Sequence, residues 1–532
     1  LRLDRTYQVA LALGVGAAAV VGLIVLSTRF SISSPSLIDD WNYATYPARS
    51  IRELLHPFVY PVGPRFRPAF ELWSQMEWHT LGAPRDLTGP NLWAVARVLL
   101  YVAGAVGVPA LIAATSRPRP SAIGIAALAA AAGLVLFSGP WPDVDIFRLG
   151  PQEPVMVGGT VCGAALVIWG LGRVLEWRGQ PRSSGQTAMV VAAFVAGLGL
   201  WGLGIYFKEA SITALVMAPF LYLWLDRRWR DAGLISRPLW RQRAAQITGL
   251  VLLLPIAHVL ITTATISEKG ASIYGASKPS GLGGWSHRAI DALSFQWSHW
   301  NEIVGTSAWR IVAVVVLALL VVTLALRRRP VPWLAIGFVL TGWAILVVQG
   351  LPLHEESRYY IPSIALFTAA ALLLLAQAPR PLLWAGVAGA VALAALNYDQ
   401  ARDTIDVWKA QENDDAAAVR LVAELHPASC RVYMSNIGME RAEALPRALH
   451  LTGIPLRGPC RRTAGPLIVS ERGTFPIYAL GPTELMGRVC AKQSILEQTD
   501  GWQIADCRKL RPRVEGWKAK QVLRPNRLVP GL

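Results

Sequence analysis

Residues 188–230 read AMVVAAFVAGLGLWGLGIYFKEASITALVMAPFLYLWLDRRWR. Two apolar runs meet at a single charged pair, Lys208-Glu209, and the second run ends on Arg227, Arg228 and Arg230. About 20 apolar residues in a helix cross the hydrocarbon of a bilayer. Two such runs joined by so little chain form an antiparallel helical hairpin. Its charged tip lies at one membrane face and its arginine foot at the other. A soluble domain has no use for this pattern.

Working outward, the same pattern recurs along most of the 532 residues. Apolar runs lie near 8–26, 91–115, 120–137, 154–175, 186–206, 210–225, 247–266, 306–326, 331–349, 359–377 and 380–397. The first carries Arg2 and Arg5 ahead of it, as a signal peptide would, but it is long and lacks a small-residue cleavage site, so it reads as a span. Composition agrees: charged residues are 16% and hydrophobic ones 53%, with a mean hydropathy of +0.39. These values exclude a simple cytosolic enzyme, a disordered scaffold and a disulfide-dense miniprotein.

The net charge of +17 sorts by side. With the amino terminus in the cytoplasm, the inward segments hold 17 basic residues and four acidic ones, a net of +13. The outward loops 27–90, 138–153, 207–209, 267–305 and 350–358 hold 12 basic and 15 acidic residues. That asymmetry is the positive-inside signal. It removes the main reason to expect a nucleic-acid partner. The fold expected is therefore a multispanning α-helical bundle of about eleven spans over 1–397, including outer loop 27–90, in the inner membrane. The tail 398–532 falls outside as a soluble extracytoplasmic α/β domain. Its short apolar runs 430–434 and 466–469 read as strands and 411–426 as a helix. Cys430, Cys460, Cys490 and Cys507 lie in it, and on an oxidising side they form two disulfides in one of three pairings or stay as buried thiols. Cys162 reads as packing within a span.

The inward loops are short and basic, so chemistry is expected outside. Loop 27–90 places Asp39-Asp40-Trp41 about a dozen residues past the first span. Adjacent carboxylates there serve as a general base, as a seat for a divalent metal, or as a solvated helix cap. The loop goes on through Arg65-Phe66-Arg67-Pro68 into FELWSQMEWH at 70–79, whose spacing predicts an interfacial helix with Trp73 and Trp78 in the headgroup belt. Loop 138–153 adds Asp143 and Asp145. Lys208 is suited to a lipid phosphate with Glu209 orienting it, or to plain snorkelling. His354, Glu356, Arg358 and Tyr359 precede the tenth run, where the guanidinium fork of Arg358 fits phosphate. Loop 267–305 mixes Tyr274, His287, Trp297, His299, Trp300, Asn301 and Glu302, a composition that suits sugar stacking or a membrane belt. No metalloprotease, phosphate-loop or dinucleotide motif occurs, and the glycines at 197–204 read as helix packing.

The long first loop with Asp39-Asp40, the acidic loop at 143–145, Lys208-Glu209, and Glu356-Ser357-Arg358-Tyr359-Tyr360-Ile361-Pro362 together resemble the GT-C glycosyltransferases, which use polyprenyl-phosphate sugars. The nearest flavour is the protein O-mannosyltransferase and aminoarabinose-transferase-like branch. The resemblance covers 8–397 and leaves the tail unassigned. It implies a membrane enzyme that moves a sugar from a polyprenyl-phosphate donor to an envelope glycan, lipid or protein on the outer face. It further implies Asp40 or Asp39 as base, with Arg358 and then Lys208 on the donor phosphate. Asp143, Asp145, Glu209, His354, Glu356 and Tyr359 become acceptor or auxiliary residues. Metal use varies across these enzymes and stays open. The alternatives are a transporter or flippase of a lipid-linked glycan, or a non-catalytic envelope assembly protein.

Overall fold

The computed structural model describes residues 3–29, 66–81, 92–117, 119–137, 153–177, 183–268, 281–304, 307–327, 331–349, 361–398, 432–434, 467–471, 490–498 and 502–510, and single positions between 402 and 422. Each apolar run is helical. In chain order they are α1 (Arg5–Arg29), α3 (Leu92–Val102) continuing through a π-turn at Ala103–Gly107 into α4 (Val108–Thr115), α5 (Ala122–Phe137), α6 (Glu153–Glu176), α7 (Ser184–Phe207), α8 (Ala214–Asp231), α9 (Arg243–Glu268), α11 (Ser307–Leu326), α12 (Val331–Gln349), α13 (Ile361–Gln377) and α14 (Arg380–Leu396). The amphipathic helices α2 (Pro68–Leu81) and α10 (Gly281–Val304) complete the set. Among the described residues, seven helices are long and apolar enough to cross a membrane, and four further apolar helices are shorter. The chain is built as a multi-pass membrane protein.

Lipid supplies no hydrophobic push between helices, so close packing and internal hydrogen bonds have to hold them together. Small residues do this where α6 meets α7. A Cβ on Gly159 would sit 2.9 Å from the Cα of Gly204, and one on Gly197 would sit 3.0 Å from the carbonyl oxygen of Gly163. Of the glycines at 197–204, Gly199 and Gly202 face open space, whereas Gly197 and Gly204 serve packing as expected. Gly14 plays the same part between α1 and α5, where its Cβ would meet the Ala126 carbonyl at 2.6 Å. Polar ties add to the packing: Trp201 Nε1 donates to the Leu252 carbonyl at 2.9 Å, and Ser363 Oγ to the Gly342 carbonyl at 2.7 Å.

Contacts between helix ends sort the bundle into two ends. At one, Tyr7 Oη donates to the Pro120 carbonyl at 2.6 Å, and Arg228 Nη2 reaches the Thr115 carbonyl at 3.1 Å. At the other, Lys208 pairs with Glu153, Arg67 pairs with Glu209, and Tyr101 Oη donates to the Ile361 carbonyl at 3.2 Å. The first end collects Arg5, Arg117, Arg119, Arg227, Arg228, Arg230, Arg237, Arg241 and Arg243. The starts of α1 and α5 thus lie together, as do the ends of α4 and α8.

Two expectations need correction. Much of 267–305 is not loop, because 281–304 forms the 24-residue helix α10. It opens on Gly281, whose φ of +65° only glycine adopts without strain. Its buried Ala292 packs beside Leu346 of α12, with Trp343 and Val347 against the pair, so only one face meets apolar surface. A search for continuous apolar runs passes over such a helix. Trp73 does not lie in the headgroup belt. It is buried between Trp93 and Phe207, edge to face with each at centroid distances of 4.8 and 5.7 Å.

In the tail, β1 (Val432–Met434) pairs parallel with β2 (Leu467–Glu471), and β4 (Trp502–Leu510) lies antiparallel between β2 and β3 (Cys490–Gln498). Every described position between Arg402 and Val422 is helical. The β3–β4 register sets Cys507 opposite Gln493 and Cys490 opposite Leu510. At about 3.3 Å per residue the two cysteines are about 10 Å apart along the hairpin. The backbone register thus sets the two cysteine positions three residues apart along the hairpin.

The α6–α7 seam predicts its own test. Gly159→Ala should destabilise by about 1–3 kcal/mol, the cost of overpacking a filled contact. Gly199→Ala, whose Cβ meets nothing within 4 Å, should leave the melting temperature in detergent unchanged. Equal melting of the two variants would contradict close packing at that seam.

Candidate functional site

The end of the bundle away from the arginines carries a cluster of buried charge. Its parts come from three places in the chain, and in each a local rule fixes the side chain. Pro68 and Pro154 both open helices, at N1 of α2 and N2 of α6, where a missing N–H costs nothing. Arg67 precedes the first proline and Glu153 the second, so both charges stand at helix mouths. Glu71 and Glu153 lie in the first turns of their helices, where the helix dipole favours a carboxylate. The third contribution is the tip of the α7–α8 hairpin. α7 stops at Phe207, Lys208 is extended at φ −152° and ψ 137°, and a 3₁₀ turn runs over Glu209–Thr213. Extended backbone sends neighbouring side chains to opposite faces. Lys208 and Glu209 therefore take different partners.

Lys208 Nζ donates to Glu153 Oε1, 55 positions away in sequence. Glu209 accepts both arms of the Arg67 guanidinium, Nε to Oε2 at 2.5 Å and Nη2 to Oε1 at 2.7 Å. This is the fork-on-fork geometry that makes arginine–carboxylate pairs strong. All four side chains are buried. Ser211 Oγ donates to the Ile205 carbonyl at 2.7 Å and Thr213 Oγ1 to the Ala210 carbonyl at 2.8 Å, which locks the turn beneath them. Burial pushes the Lys208 ammonium down to about 8, and the Arg67 charge adds to that drop. The carboxylates of Glu153 and Glu209 work against it.

Aromatic rings wall the cluster off from lipid. Phe66 meets Tyr206 and the His258 ring at centroid distances of 6.2 and 5.3 Å, and Tyr206 Oη bonds His258 Nδ1 at 3.0 Å. On the other flank Phe70, Trp73, Trp93 and Phe207 interlock, with the Arg97 guanidinium 5.9 Å from the Trp73 ring centre. Arg97 and Glu71 are both buried here.

Of the residues singled out from sequence, Lys208 and Glu209 fall in this cluster. Lys208 meets Glu153, and Glu209 meets Arg67 rather than Lys208. Asp39, Asp40, Asp143, Asp145, His354, Glu356, Arg358 and Tyr359 lie outside the described residues. Sequence reasoning assigned no role to Arg67, Glu71 or Glu153. The signal was a charged residue set immediately before a helix-opening proline, which occurs at both 67–68 and 153–154. No group of three or more His, Cys, Asp or Glu fit to hold a metal ion occurs among the described residues. The Glu153 and Glu209 carboxylates are taken up by Lys208 and Arg67.

Such an arrangement keeps cationic side chains dry, fixed and charge-compensated at one end of an apolar bundle. An arriving anion would find the donors already oriented, and it would compete with carboxylates for them.

No protein-family model matches the chain, and no curated protein matches it. Among solved structures it is similar to the crystal structure of ArnT from Cupriavidus metallidurans in the apo state, at 14% identity over 92% of this chain and 96% of that one, with a TM-score of 0.48. A likeness of that degree carries no inference about activity.

The two ion pairs predict a definite mutational pattern. Glu153→Gln should cost about 3–5 kcal/mol because it strands a buried ammonium. The double change Glu153→Leu with Lys208→Met should recover most of that loss, since an apolar pair of similar volume often replaces a buried ion pair at little cost. Thermal unfolding in detergent reads both. A double variant no better than the single one would mean that the ammonium does not depend on Glu153.

Proposed function

We propose that the chain transfers a sugar from a polyprenyl-phosphate donor to an acceptor hydroxyl of the cell envelope, at the membrane face away from its arginines. The observation that carries this reading is the buried cationic cluster at that end. Lys208 and Arg67 sit beside the turn at 209–213, where Arg67, from within the first long loop, pairs with Glu209. On the reading that the arginines mark the cytoplasmic side, that end is the outer one.

The chemistry follows from what a lipid-linked sugar requires. Its polyprenyl tail needs apolar surroundings, which helices with lipid-exposed leucine and valine provide. A carboxylate, Asp40 or Asp39, takes the proton of the acceptor hydroxyl. The hydroxyl oxygen then bonds to the anomeric carbon while the bond from that carbon to the phosphate oxygen breaks. The leaving polyprenyl phosphate departs as an anion and needs no acid. Its developing charge has to be met by fixed cations in a dry site, where such contacts are strongest. Arg358 and Lys208 take that role, with Arg67 next to Lys208 raising the local positive potential. Asp143, Asp145, His354, Glu356 and Tyr359 serve the acceptor or support the site, and Glu209 holds Arg67.

The test uses the purified chain with a polyprenyl-phosphate sugar and acceptor. Asp39→Asn or Asp40→Asn should lower turnover by about 100-fold or more, the range of a lost general base. Arg358→Ala should raise the KM for donor more than that for acceptor. Full turnover in both aspartate variants would remove the proposed base.

Lys208 adds a pH signature. Its ammonium, held down to about 8, is present below that pH and lost above it. Donor-dependent kcat/KM should therefore fall as pH rises through about 8, and Lys208→Arg should move that limb upward. An unchanged limb in Lys208→Arg would assign it to another group.

A further inference from the structure

The corner between α8 and α9, at the arginine end, is more elaborate than a connection requires. α8 closes in a Schellman motif: Gly233, at φ +70°, donates its N–H to the Arg230 carbonyl at 2.9 Å, and Leu234 donates to that of Trp229 at 2.9 Å. Ile235 and Leu239 then turn back into the core. Asp226, itself buried, accepts the Leu239 N–H at 2.7 Å and pairs with Arg230 on its other oxygen. The Gln242 N–H closes on the Leu239 carbonyl at 3.0 Å. The link 232–242 is thus pinned at both ends and in the middle.

Its outward side is dominated by arginine, with the exposed Asp231 paired to Arg227. Arg227, Arg230, Arg237, Arg241 and Arg243 are exposed, and segment 226–243 holds six arginines against two aspartates, one of them buried. Among these cations Trp240 is left in the open at 55% exposure, with the Arg241 guanidinium 4.7 Å from its ring centre. A topology signal needs arginines, but it does not need them fixed in place, and it does not need an exposed indole.

We propose that this corner is a docking surface for the headgroups of anionic phospholipids. It caps two helices of membrane-spanning length, Glu209–Asp231 and Arg243–Ala264, and so lies at headgroup depth. Indole rings concentrate at that depth. Guanidinium groups match phosphate with paired donors. A rigid corner places those groups without the entropy loss of ordering a loose loop. This surface is remote from the proposed sugar transfer and stands independently of it.

The test reconstitutes the full chain into nanodiscs of phosphatidylcholine alone or mixed with phosphatidylglycerol. Melting temperature and the lipids retained in native mass spectrometry are both read. The chain should melt higher with phosphatidylglycerol and retain it selectively, and salt should weaken both effects. The combined variant Arg237→Gln, Arg241→Gln, Arg243→Gln should lower apparent affinity for phosphatidylglycerol by about fivefold for each arginine removed. Its melting in phosphatidylcholine should be unchanged. If the triple variant does not assemble, Arg241→Gln and Trp240→Ala singly give the same reading with smaller loss. A phosphatidylglycerol preference equal in wild type and variants overturns the proposal. Stabilisation by soluble heparin as great as that by phosphatidylglycerol overturns it too, and assigns the corner to a soluble polyanion.

Discussion

A charge buried at the edge of a lipid-solvated bundle has to be met by an opposite charge, because desolvation costs several kcal/mol per ion and lipid gives nothing back. Lys208, Glu153, Arg67 and Glu209 answer that constraint together, and the architecture of this end follows from it. The Lys208–Glu153 pair ties the last turn of α7 to the first turn of α6. The Arg67–Glu209 pair draws the entry to α2 onto the hairpin tip. Once Arg67 is held, Phe66 falls against Tyr206 and His258, while Phe70 and Trp73 fall against Phe207. The glycine seam between α6 and α7 brings the two helices close enough for the first pair to form.

The same cluster gives the end a chemical character that the opposite end lacks. At the arginine end, cations are mostly exposed and answer to water and headgroups. At the cluster end they are dry and already oriented. A pocket that must bind a lipid phosphate beside an apolar tail needs dry, preorganised donors, and surface arginines do not serve. The cost is a lysine whose ammonium burial pushes down to about 8, with two carboxylates opposing its loss.

Much of the fold was legible because membrane spans are written as contiguous runs. Each of the apolar runs became a helix. The hairpin tip at Lys208-Glu209 was also visible, since so short a connection between two spans leaves its charges nowhere to go. Its partners were not, because Glu153 and Arg67 lie 55 and 142 positions away and pairing over such separations leaves no local pattern. Extended backbone at Lys208 also splits a sequence-adjacent pair that reads as a unit. α10 was missed for a related reason: its apolar contacts are confined to one face, so no continuous run announces it. Strands β1 and β2 were legible as short apolar runs, whereas β3 and β4 carry too many charges, as in Cys490–Gln498 (CAKQSILEQ), to stand out.

The central claim is that this chain breaks the bond between a sugar and a polyprenyl phosphate. The most direct measurement incubates the purified protein with a set of polyprenyl-phosphate sugars and follows free polyprenyl phosphate and glycosylated acceptor by mass spectrometry. The account predicts that at least one donor releases its lipid phosphate in proportion to product, and only with an acceptor hydroxyl present. Movement of intact donor across the bilayer with no release of lipid phosphate from any donor would contradict it.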